Sequence, residues 1–172
     1  MDNTNQDARR KAVLRLQKEV ESMRRSGKYE SVWVSLKGLG WVAIERSPMK
    51  RSTDEILAAH YMADVGFQVI LKNEAGQAIT ADGFIFSFAF EQKTPYKKSF
   101  EGIYKALRHA RNKSTPHLPI DVAVIFDKFG HYTKQDIEAG IKEYERNHRT
   151  RFRGIIFISK TGKVKVFRHN RL

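Results

Sequence analysis

Apolar positions along this chain change their spacing repeatedly, and each change marks an element. Val13, Leu14, Leu16, Val20 and Met23 form an incomplete stripe among Arg and Lys, and Gly27 follows, which predicts a helix over 7–26. Ser31–Leu36 and Gly40–Ile44 are short strand-like runs, and Lys37-Gly38-Leu39-Gly40 between them predicts a hairpin. A basic loop from Arg46 leads to Ser52 or Thr53, either of which can cap a helix over 53–65 with Asp54 and Glu55 in its first turn. Gly66 ends that helix and Phe67–Leu71 reads as a strand, followed by a polar loop through Asn73 and Gly76.

Residues 81–93, Ala-Asp-Gly-Phe-Ile-Phe-Ser-Phe-Ala-Phe-Glu-Gln-Lys, read as an apolar β-hairpin turning near Phe86 and Ser87. From Ser99 to Asn112, Phe100, Ile103, Tyr104 and Leu107 alternate with Lys105, Arg108 and Arg111, a basic amphipathic helix. Ile120–Phe126 is almost continuously apolar, as strands buried on both faces of a parallel sheet are. A helix over 133–148 and two strands, Gly154–Ser159 and Lys163–Arg168 about a Lys160-Thr161-Gly162 turn, complete the pattern. The order is mixed α/β: a sheet flanked by helices. Residues 1–48 form an N-terminal helix and hairpin extension, and residues 49–172 a core domain.

Composition narrows the partners. The 172 residues suit one domain, and no internal repeat interrupts them. Lys and Arg number 32 against 19 Asp and Glu, a formal charge of +13, which implies a polyanionic partner bound with release of counterions. No apolar run approaches the roughly 20 residues of a membrane-spanning helix, so membrane insertion is not expected. There is no cysteine, which excludes disulfides and thiolate metal sites. The first seven residues are polar and acidic, unlike a signal peptide, and a cytosol-like site of action is expected.

The chemistry concentrates in the 81–93 hairpin. Glu91 and Lys93 are two apart on a strand and share a face, while Asp82 falls on the opposing strand. Two carboxylates and an ammonium would then converge at one end of an apolar ribbon. Magnesium takes oxygen ligands and keeps several waters, so Asp82 and Glu91 suffice as ligands for Mg²⁺ or Mn²⁺. Lys93 would orient water or neutralise charge developing on a phosphate. As polar groups at strand ends, Asp82 and Lys93 are expected to be removable at little cost in stability. Lys97, Lys98, Lys105, Arg108 and Arg111 would track a nucleic-acid backbone just beyond the active strand. Trp33 and Trp41 are expected to pack, and the six scattered histidines lack metal-ligand spacing.

An acidic residue on a helix, then Asp82, then Glu91-x-Lys93, then a further helix resembles the PD-(D/E)XK nuclease superfamily. More narrowly, Asp54-Glu-Ile-Leu-Ala-Ala-His-Tyr-Met-Ala-Asp-Val-Gly66-Phe-Gln-Val is similar to the opening of the C-terminal tRNA-nuclease domain of contact-dependent growth-inhibition toxins and of related phage and mobile-element proteins. Ser99–Arg111 followed by Val122-Ala-Val-Ile extends that resemblance, which covers about residues 50–128. Ala81 stands where the family name has proline, and the helical acid is Asp54 or Glu55, the pattern favouring Glu55. The resemblance implies a restriction-endonuclease-like fold with Glu55, Asp82, Glu91 and Lys93 as catalytic residues. It also implies a toxin that cleaves tRNA, delivered as part of a larger effector and neutralised by an acidic immunity protein. A DNA endonuclease of a mobile element and a catalytically inactive nucleic-acid-binding module are the alternatives.

Overall fold

The computed structural model describes residues 3–48, 50–73 and 81–169; the expected loop through Gly76 lies outside them. The elements run α1 (Asn3–Arg25), β1 (Tyr29–Ser35), β2 (Gly40–Glu45), α2 (Thr53–Ala63), β3 (Gln68–Leu71), β4 (Gly83–Ile85) and β5 (Phe88–Lys93). They continue with α3 (Phe100–Asn112), β6 (Val122–Phe126), α4 (Lys134–Asn147), β7 (Gly154–Ile158) and β8 (Val164–His169). This is the α/β class expected from the pattern, with boundaries moved by a few residues.

Among the described residues eight strands form one mixed sheet whose spatial order equals their chain order. Each helix between neighbouring strands makes a parallel pair: α2 joins β2 to β3, α3 joins β5 to β6, and α4 joins β6 to β7. The other pairs are antiparallel, and β1–β2, β4–β5 and β7–β8 are joined by short turns as such pairs allow. The hairpin of residues 1–48 therefore joins the same sheet, because β2 pairs with β3, and α1 packs against it.

Alternation along the strands sorts the core into two faces. Val42 and Ile44, Val69 and Leu71, Phe90, Val122 and Val124, Ile156 and Ile158 pack with Ala58, Ala59, Met62 and Ala63 of α2. The small residues of α2 let the sheet curl closely about it, and Val164 of β8 reaches the same cluster. The other face carries Ala89, Ala123, Ile125, Ile155 and Phe157 under Ile103, Leu107 and Ala110 of α3 and Ile137, Ile141 and Tyr144 of α4. Leu16 and Val20 of α1 cover Val32, Trp41 and Ala43. β6 is buried throughout, as its unbroken apolar run requires. Truncating its Ile125 or Phe126 to Ala costs about 2–5 kcal/mol.

Caps follow the residues that favour them. The Ser52 side chain accepts from Asp54 N–H to start α2, and Thr133 with Asp136 forms a reciprocal capping box on α4. Trp41 is buried, while Trp33 is half-exposed and meets the His60 ring edge-on at 4.2 Å. Among the described residues no helix is long and apolar enough to cross a membrane.

Candidate active site

The site begins in the tight β4–β5 hairpin, where Gly83 pairs with Phe90, Phe84 with Ala89 and Ile85 with Phe88. Its turn carries no Gly or Asn; Phe86 takes φ +54°, donates its N–H to Gln68 O at 2.8 Å and packs on Phe67. The hairpin is thus held by β3 as well as by its own ladder. Asp82 stands at its entry, with its carbonyl accepting from Lys72 N–H on the β3 side. Its carboxylate Oδ2 accepts from Gln92 N–H at 2.6 Å on the β5 side.

Glu91 and Lys93 share a face, and Lys93 Nζ lies 2.5 Å from Glu91 Oε1. Glu91 is 1% exposed and Asp82 7%, so two acids occupy one dry place. Burial first, then the charge of Glu91, push the Asp82 carboxyl up to about 8. The Gln92 N–H and Lys93 pull the other way without cancelling them, and Glu55 adds to the push. Asp82 and Lys93 are therefore not the cheap strand-end groups expected from their positions. Asp82 is buried, and Lys93 partners a buried carboxylate.

A divalent cation fits this pair. Among the described residues Glu91 Oε2 is buried with no hydrogen-bond partner, and the charged form of Asp82 is disfavoured there, which a cation would relieve. No group of three or more His, Cys, Asp or Glu assembles as a metal-binding set among the described residues. Two carboxylates with waters completing the shell is the arrangement Mg²⁺ or Mn²⁺ accepts.

The two candidates for the helical acid part company. Asp54 is held by Lys128 at 2.8 Å. Glu55 is paired with Arg51 at 3.1 Å, and its charge reaches Asp82. Glu55 is thus the helical acid that shares the electrostatics of the pair.

The five basic residues divide into two groups. Lys97 and Lys98 are exposed beyond β5, and Lys105 on α3 is near enough to Lys97 that the Lys97 ammonium pushes its pKa down. Lys93, Lys97, Lys105 and His109 line a pocket of about 320 Å³ with Tyr96 and Ala106. Arg108 and Arg111 turn elsewhere: Arg108 lies 6.0 Å from the Tyr104 ring centre, and Arg111 lies 5.9 Å from that of Phe152. Arg111 also donates to Ile120 O at 3.3 Å.

Gln92, Tyr96 and Arg51 were not singled out from sequence. Gln92 acts through its backbone, which no side-chain motif reveals. Tyr96 had a signal, since it sits between Lys93 and Lys97 in a proline-containing loop.

No protein-family model matches the chain, and no curated protein matches its sequence. Its fold is similar to that of a chain in the solved CdiA-CT/CdiI toxin and immunity complex from Burkholderia pseudomallei. The TM-score is 0.55 at 16% identity, over 73% of this chain and 98% of that one.

Proposed function

We propose that this chain is a metal-dependent endonuclease that hydrolyses phosphodiester bonds, with tRNA as its substrate and the role of a toxin. The observation that carries the reading is the pair Asp82 and Glu91, buried together with a lysine at the rim and a Glu91 oxygen that has no hydrogen-bond partner among the described residues. Such an arrangement is costly as structure alone, and a carboxyl perturbed as Asp82 is belongs to the kind that gathers where chemistry is done.

Asp82 and Glu91 would hold the ion. When bound, Mg²⁺ or Mn²⁺ supplies a Lewis acid that readies water and offsets charge on the scissile phosphate. Gln92 N–H fixes the Asp82 carboxylate in place, so that ligand needs no reorganisation. The Lys93 ammonium, held against Glu91, neutralises charge developing on the phosphate or orients the attacking water. Glu55 contributes through its field at Asp82.

The toxin part of the reading rests on the fold shared with a chain of the toxin and immunity complex. A formal charge of +13 favours the nucleic-acid-directed component and an acidic immunity protein as partner. Action in the cytoplasm after delivery within a larger effector follows from the same reading.

The test is incubation with folded tRNA, duplex DNA and single-stranded DNA, in Mg²⁺ and in EDTA. Discrete tRNA fragments in Mg²⁺ alone are expected. Nicked duplex DNA beside intact tRNA would overturn the RNA assignment and leave a DNA endonuclease. No cleavage of any substrate in Mg²⁺ or Mn²⁺ would leave a binding module.

A further inference from the structure

Two aromatic rings stand exposed beside the acidic pair. Tyr96, in the loop after β5, is 74% exposed, and Phe129, in the loop after β6, is 38% exposed. Their ring centres are 5.4 Å apart, and His131 stacks behind Phe129 at 5.3 Å. β5 and β6 are parallel neighbours, so both loops leave the same, carboxyl-terminal edge of the sheet, where open α/β sheets bind ligands.

These rings are held up rather than loosely displayed. The buried Asp127 carboxylate accepts from His131 N–H at 2.9 Å and Tyr132 N–H at 3.2 Å, shaping the 127–132 loop from beneath. Tyr132 then donates its hydroxyl to Lys97 O, tying that loop to the one carrying Tyr96. Gly102 makes the tie possible: a Cβ there would meet Lys97 O at 2.4 Å and crowd the Tyr132 hydroxyl. Lys128 anchors the same loop to Asp54, the neighbour of Glu55. Polar bonds thus fix two apolar rings in water, an arrangement a core does not need.

The surroundings identify the occupant. Tyr96 lines the same pocket as Lys93, Lys97, Lys105 and His109, and Lys93 is bonded to Glu91. At about 320 Å³ the pocket reaches the lower size limit of ligand clefts and has room for a single nucleotide rather than a duplex. A flat π-face beside several ammonium groups suits a base on the ring and its phosphates on the lysines.

We propose that Tyr96 and Phe129 form a stacking platform for an unpaired base of a nucleic acid next to the scissile phosphate, and that the lysines of the adjoining pocket hold that nucleotide's phosphates. The proposal rests on the phosphodiesterase reading for the identity of its ligand. It adds a structural preference: single-stranded ends and loops over continuous duplex. Recognition of RNA at unpaired, splayed bases has the same physical basis.

The experiment measures binding in EDTA, so that nothing is cut, using a short single-stranded oligonucleotide with 2-aminopurine and a duplex of the same sequence. The parent protein should quench 2-aminopurine in the single strand. Tyr96→Ala should abolish the quench and weaken single-strand binding by about tenfold, the scale of one lost base–aromatic stack. Tyr96→Trp should restore both, and duplex binding should be unchanged throughout. Tyr96 is largely exposed, so its variants keep the parent's melting temperature. Equal loss on single strand and duplex, or no change on either, would overturn the proposal. Because no step requires hydrolysis, failure here is separable from failure of the nuclease reading, which shows as absent Mg²⁺-dependent cleavage.

Discussion

Asp82 Oδ2 accepts the backbone N–H of Gln92, the residue that separates Glu91 from Lys93. The regular β4–β5 ladder ends at Gly83 and Phe90, and beyond it a side-chain carboxylate supplies the acceptor. One bond therefore sets the position of the first acid relative to the other two charged groups. It also gives the buried carboxylate a donor, which opposes the upward push of burial on its pKa without cancelling it.

Acid-base linkage at Asp82 gives the first prediction. Its folded-state pKa of about 8 lies above the ordinary 3.8, so between those values the folded protein holds more protons than the unfolded chain. Stability without metal should fall as pH rises through that window, with the loss complete above it. Thermal denaturation in EDTA from pH 5 to 8.5 should show a falling Tm that flattens in Asp82→Asn. Millimolar Mg²⁺ should raise the parent's Tm more at pH 8 than at pH 5, since the ion takes the deprotonated pair. An equal Mg²⁺ effect at both pH values would count against Asp82 as a ligand.

Lys93→Ala should stop cleavage and also cost stability. Glu91 is almost fully buried, with one oxygen on Lys93 and the other without a partner among the described residues, so truncation strands a buried charge. The cost should be about 1–3 kcal/mol by urea denaturation. The double variant Glu91→Gln with Lys93→Met should recover much of that loss without regaining activity. A Lys93→Ala protein as stable as its parent would show that Glu91 does not depend on this lysine.

Gly83 is where packing sets the hairpin. A Cβ there would lie 2.0 Å from Ile70 O and 2.8 Å from Phe90 Cε1. Gly83→Ala must force β3 and β4 apart beside Asp82. We expect a loss of about 2–4 kcal/mol, in the range of the larger single-substitution effects, together with impaired cleavage. Near-parental denaturation midpoints would mean that the strands can relax around a methyl group.

Affinity for nucleic acid should fall steeply with salt, and the slope should separate the two groups of basic residues. Replacing Lys97, Lys98 or Lys105 by Gln should each reduce the slope of log K against log salt by about 0.7–0.9 where that residue meets a phosphate. Arg111→Gln should chiefly lower stability, because its guanidinium ties α3 to Ile120 O and lies over Phe152. Titrations over a series of salt concentrations, with melting curves alongside, distinguish these outcomes. A salt-independent affinity would assign the charge to another partner.

Element order was legible because local patterns carry it: a near-unbroken apolar run made β6, and the stripe ending at Gly27 made α1. The hairpin turn at Phe86 was legible from strand spacing, although its positive φ falls on a residue that rarely adopts one. The shared face of Glu91 and Lys93 followed from the two-residue period of a strand. What period and spacing cannot express is depth. Asp82 and Lys93 looked like strand-end polar groups, yet the covering of β5 by its neighbours buries the acids and turns one proton's affinity upward. Nor could local pattern tell Arg111, spent on a carbonyl and a ring, from Lys105, which faces the pocket; both belong to one basic helix. Tyr96 and Phe129 are 33 residues apart and meet only because β5 and β6 lie parallel, a long-range pairing that chain order alone does not encode. Hydrophobic periodicity determined the elements and the candidate charges; tertiary packing decided their burial and their company, because desolvation and charge proximity exist only once distant segments have met.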